Sequence, residues 1–117
     1  MLRRSLQLAA LIVSSCAVCT AVVKTSARVD ARDEFFESRI RPVLATACYD
    51  CHTDAAKSGL RVDSRAALLK GGRRGPAIVI GKPDESLLIK AVRHETLQMP
   101  KGAPKLKDNE IADLVQW

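Results

Sequence analysis

Only four aromatic residues, Phe35, Phe36, Tyr49 and Trp117, stand in this chain of 117, and that scarcity limits the core it can build. Aromatic side chains bury roughly 150–250 Å² each and dominate most interiors. Here the core must come from Leu, Ile, Val and Ala, or from a bound group that the chain does not encode. The length is that of one domain, which excludes a multidomain enzyme within this sequence. With 47% hydrophobic and 27% charged residues, the composition is globular rather than disordered or fibrous.

The first stretch differs from the rest. Arg3 and Arg4 open it, Leu6 to Val23 carries no charge, and Lys24 ends the run. This is the layout of a secretory signal peptide spanning residues 1–27, with small residues suited to cleavage after Ala27 or after Ala21. An uncleaved anchor and a lipid attached at Cys16 are the alternatives. A spanning helix wants about 20 mostly apolar residues, and this run is diluted by Gln7, Ser14, Ser15 and Thr20. The expectation is therefore an exported protein, periplasmic or anchored facing the periplasm, touching a membrane only through this segment. The whole chain carries +6, and without Arg3, Arg4 and Lys24 the balance is 16 basic against 13 acidic residues, or +3. No clustered basic stripe accompanies that excess, so nucleic acid is not an expected partner.

Residues 28–33 read as a polar linker and 34–117 as the domain. Asp33 is placed to cap a helix bearing Phe36, Ile40, Val43 and Leu44 on one face, and Pro42 predicts a kink or a break and restart. Asp63 or Ser64 caps a second helix, Arg65 to Lys70, which Gly71-Gly72 ends. Residues 71–83 read as a loop rich in Gly and Pro. A third helix follows Pro83-Asp84-Glu85 and buries Leu87, Leu88, Ala91 and Val92. After a loop from Met99 to Pro104, a last helix begins near Asp108 with Ile111, Leu114 and Val115 facing inward. No strand alternation persists, so the predicted class is small all-α with long loops.

Four cysteines occur, two of them, Cys16 and Cys19, inside the export segment. The other two form Cys48-Tyr49-Asp50-Cys51-His52. Cys-x-x-Cys-His is the attachment sequence of c-type haem: two thiols one helical turn apart add across the two vinyl groups, and the adjacent imidazole ligates iron. Haem is attached outside the cytoplasm, which agrees with the export segment, and a buried macrocycle offsets the shortage of aromatics. The alternatives are a structural disulfide between Cys48 and Cys51, a thioredoxin-type redox pair without its surrounding βαβ pattern, and zinc through Cys48, Cys51, His52 and His94, for which a second ligand pair is missing.

Iron held by His52 needs a sixth ligand or an open position. Once the export segment is removed, Met99 is the sole methionine. It lies in the loop Gln98-Met99-Pro100-Lys101-Gly102, and Pro100 favours an extended Met99 suited to reaching across a haem face. Met99 as a gap-filling core residue and His94 as the ligand are the alternatives.

A longer set of motifs resembles a known family. Phe35-Phe36-Glu37 with Ile40-Arg41-Pro42-Val43-Leu44, the Cys48–His52 pentapeptide, Gly59-Leu60-Arg61-Val62-Asp63-Ser64, Leu69-x-Gly71-Gly72, Gly75-Pro76-Ala77-Ile78-Val79, Gly81-Lys82-Pro83-Asp84-x-Ser86-Leu87-Leu88-Ile89 and Met99-Pro100 look like the planctomycete-type cytochrome c domain, over about Glu34 to Trp117. The resemblance implies a cytochrome c-like fold around one covalently bound haem, Cys48 and Cys51 as attachment residues, His52 as proximal and Met99 as distal ligand. It also implies that the domain heads a longer exported polypeptide and is cut short at its C-terminal end. Ile80 departs from the family's frequent proline. Lys107 stands where Ser or Thr would cap the last helix, a loss of about 0.5–2 kcal/mol.

With His52 and Met99 both bound, iron has no free site and only changes oxidation state, so the chain reads as an electron carrier rather than an enzyme. Its partner is then a redox protein or an attached downstream domain. A catalytic or sensory haem domain with an open distal site is the alternative. Gly75 to Val79 is a candidate haem-covering loop, with an ordinary surface turn as the bland reading. Arg73 and Arg74 suit a propionate or an acidic partner, although charge runs are commonly just solvated faces.

Overall fold

The computed structural model describes residues 30–117, so the expected export segment, with Cys16 and Cys19, lies outside the described residues. Residues 30–35 are helical. Asp33 therefore stands inside a helix rather than capping one, and residues 30–33 of the expected linker are helical too.

Pro42 goes with an interruption of the regular α winding, as expected. A proline has no N–H to donate, and its ring collides with the carbonyl four residues back in a regular α-helix. The chain winds wider just ahead of it, through a π-helical turn, Phe36–Ile40, in which the Arg41 N–H donates to the carbonyl of Phe36. Helix α1 (Arg41–Ala47) then continues without interruption, with Pro42 in its first turn, where a missing donor costs nothing. A short helix α2 (Tyr49–His52) follows after Cys48, whose φ of −127° breaks the regular winding.

Helix α3 (Arg65–Lys70) is capped as expected: the Ser64 hydroxyl accepts from the Ala67 N–H at 3.1 Å. Gly71, at φ +70°, ends it. A Cβ there would sit 1.8 Å from the Gly75 carbonyl oxygen, so no other residue fits this close approach. The long segment after Gly71 is irregular but tied down at intervals. The Ala77 N–H donates to Leu68 at 2.9 Å, the Leu88 N–H donates back to Ala77 at 2.8 Å, and the buried Ser86 hydroxyl accepts from Val79 at 2.9 Å. A 3-10 turn, Pro83–Glu85, leads into α4 (Leu87–Val92), where Leu88, Ile89, Ala91 and Val92 are buried. Ile89 takes the inward place expected of Leu87, which is only half-buried.

The last helix, α5 (Asp108–Gln116), buries Ile111 and Leu114. Its start is half of a capping box. The Glu110 carboxylate accepts from the Lys107 N–H at 2.9 Å, but the Lys107 ammonium has no lone pair to return the bond. Helix α5 packs on the π turn and on α4. Ile40, Leu44, Leu88, Ile89, Val92, Ile111 and Leu114 belong to one aliphatic core, with Phe36 and Val115 packed against it, so the first and last helical pieces share it. Trp117 lies on Phe36, ring centroids 5.3 Å apart. A second, smaller core gathers Val62, Leu68 and Ala77. Among the described residues there is no strand, only one isolated bridge between Gly72 and Gly75, and the fold is all-α. Nor is any helix among them long and apolar enough to cross a membrane.

Candidate cofactor site

Both cores meet at Cys48 and Tyr49, which pack against each of them together with Ile78. Cys48 ends α1, its N–H donating to Leu44 at 2.9 Å. The chain then turns tightly, since Cys51 (3.3 Å) and His52 (2.9 Å) both donate to the Cys48 carbonyl. Three residues apart on this single turn, the two cysteines are neighbours on one face. Both are half-buried free thiols. Burial, with a smaller contribution from the Cys51 thiol beside it, pushes the Cys48 pKa up to about 11. That makes Cys48 a poor nucleophile, and among the described residues there is no strand to build the βαβ setting of a thioredoxin-type pair. Zinc does not fit either. Among the described residues no three His, Cys, Asp or Glu side chains are grouped to hold a metal, and His94 does not join the motif.

His52 closes the turn and is half-buried. Its Nδ1 lies 3.3 Å from the carbonyl oxygen of Leu60, which accepts only, so Nδ1 carries the proton and Nε2 keeps its lone pair. A ligating imidazole needs this arrangement, with one ring nitrogen anchored and the other free for metal. The same segment is pinned a second time, because the Val62 N–H donates to the His52 carbonyl at 2.8 Å. Leu60 is a site residue that sequence reasoning missed. Its contribution is a main-chain carbonyl, which every residue type offers.

Met99 is half-buried and borders a cavity of about 310 Å³ with His94, Leu97, Gln98, Pro100 and Gly102. Its backbone is held at both ends: the N–H donates to Ala91 at 3.3 Å, and the carbonyl accepts from His94 Nε2 at 3.2 Å. None of Cys48, Cys51 and His52 borders this cavity. The four expected site residues thus occupy two places, an attachment turn and a separate loop. The loop expected to cover a haem is partly inward. Ala77 is buried in the smaller core and Ile78, like Cys48, packs against both cores, whereas Arg73 and Arg74 are exposed.

Two free thiols one turn apart, an imidazole with its proton fixed on Nδ1, and aliphatic packing around them suit a covalently attached haem. No curated protein and no solved structure matches the chain significantly. Residues 48–102 match the family model of planctomycete cytochrome C, from the first motif cysteine through the Met99 loop. The family implies haem c, with Cys48, Cys51 and His52 in the places that attachment requires. Over residues 48–102, then, the chain is similar to planctomycete cytochrome C.

Proposed function

We propose that this domain carries single electrons through one haem c ligated by His52 and Met99, as a module of a longer exported protein. The observation that carries the reading is the anchored imidazole of His52, held by the Leu60 carbonyl at the end of the Cys48–Cys51 turn. Covalently bound haem supplies a one-electron iron couple, and thioether ligation raises its potential relative to a pair of histidines. The chain's own residues do the rest. Cys48 and Cys51 would hold the haem covalently, His52 would offer Nε2 to its iron, and the Met99 sulfur would supply the second protein ligand. Ile78 and the aliphatic cores on either side of the motif exclude water, which favours the less charged reduced state.

The electron leaves to, or arrives from, a redox partner protein or an attached downstream domain. Export to the periplasm, with residues 1–27 removed or retained as an anchor, places the chain where haem is attached. Matured protein is expected to titrate as a single one-electron couple and, when reduced, to bind carbon monoxide only slowly. Fast carbon monoxide binding by the wild type would overturn the six-coordinate reading in favour of a catalytic or sensory domain. Mass measurement of the native gene product tests the module reading: a mature protein of about 90 residues (117 minus 27) with one haem contradicts it.

A further inference from the structure

The loop that bears Met99 is closed by an unusual residue. His94 follows the Arg93 cap of α4 and sits at φ +64°, in the left-handed region that favours glycine. A side chain held there against its backbone preference points to a purpose. The position turns the chain sharply. The Ala91 carbonyl accepts from both the His94 N–H, at 3.1 Å, and the Met99 N–H, at 3.3 Å, so the segment 94–99 returns to the end of the helix it left. The imidazole then spans the loop and reaches the Met99 carbonyl at 3.2 Å. A carbonyl only accepts, so Nε2 carries the proton and is committed to Met99, which leaves Nδ1 as the ring's one lone pair. Both main-chain polar groups of Met99 are therefore held, one by Ala91 and one by His94, while its thioether is left free to be aimed.

We propose that His94 is a positioning residue for Met99: its ring fixes the backbone from which the sulfur is presented, and it is not itself an iron ligand. The proposal rests on the reading of Met99 as distal ligand. A glycine would make the same turn without strain but could not hold the carbonyl. Histidine accepts the strained conformation and supplies the donor.

The test uses haem-matured protein and two substitutions. His94→Asn tolerates positive φ but its amide stops one bond short of Nε2, so it removes the hydrogen bond and keeps the turn. His94→Gln carries an amide N–H₂ about as far out as Nε2 and restores the donor. The readouts are the long-wavelength sulfur-to-iron absorption band of the oxidised protein and the affinity for added imidazole. His94→Asn is expected to weaken the band and raise imidazole affinity about five- to tenfold, the factor that one net hydrogen bond supplies. His94→Gln should return both towards wild type. Equal behaviour of the two variants, whether both unchanged or both impaired, overturns the positioning role. Met99→Ala separates this from the underlying reading. If that variant opens the iron while His94→Asn does not, only the role of His94 fails. If Met99→Ala leaves the band and imidazole affinity untouched, the ligand assignment itself fails.

Discussion

The two halves of the site are held by different means. At His52 the imidazole itself is anchored, through Nδ1 to Leu60, on a turn whose two cysteines are expected to be bonded to the haem. At Met99 only the backbone is anchored, through Ala91 and His94, and the thioether is not. A ligand fixed through its own ring stays when its surroundings loosen. A ligand that depends on the posture of a loop is the one lost first. If His52 and Met99 ligate iron as proposed, the His52 side is the permanent one and the Met99 side the one that can be released, which is where competing ligands should enter.

The largest effect falls on the permanent side. Replacing both thiols, Cys48→Ala with Cys51→Ala, should abolish haem that survives extraction with acid and organic solvent, because thioether bonds persist through unfolding and coordination bonds do not. Retention of non-extractable haem in that variant would break the comparison at its root.

A smaller loss is expected from the shared core. Leu44 is 1% exposed, one turn before Cys48 in α1. Leu44→Ala should lower stability in chemical denaturation by about 2–5 kcal/mol, the range for a leucine removed from a close-packed interior. It should leave the oxidised spectrum low-spin, since neither ligand is touched.

The smallest effect concerns protons. In protein without haem, the Cys48 pKa is raised from its ordinary 9.0 to about 11. Between those values the unfolded chain loses this proton while the folded one keeps it, so stability is fully present below pH 9 and falls as pH rises towards about 11. Attachment converts the thiol to a thioether and removes the titration. Denaturation across this pH window, with and without haem, should show the decline only without it. An equal decline in both forms would mean that Cys48 is not consumed by attachment.

These differences also explain what the sequence revealed. The attachment turn was legible because its chemistry lies in five consecutive side chains, Cys48 to His52. The helical class and the capped, glycine-terminated α3 were legible because caps and breakers act locally. Met99 was reachable only by elimination and through the family resemblance. The Leu60 carbonyl was not legible, since a main-chain acceptor has no signature, and neither was the bond from His94, which ends on another such carbonyl. Pro42 was legible in part. Its disruption of a helix is predictable, but whether the chain kinks or widens into a π turn depends on the core that holds Ile40 and Leu44 in place.

The central claim is that iron in this domain is held by His52 on one side and Met99 on the other. The absorption spectrum of haem-matured Met99→Ala, oxidised and reduced, beside the wild type tests it most directly. The account predicts a six-coordinate, low-spin wild type and a high-spin variant that binds carbon monoxide or imidazole readily. A Met99→Ala spectrum that remains low-spin and closed to added ligands would contradict it.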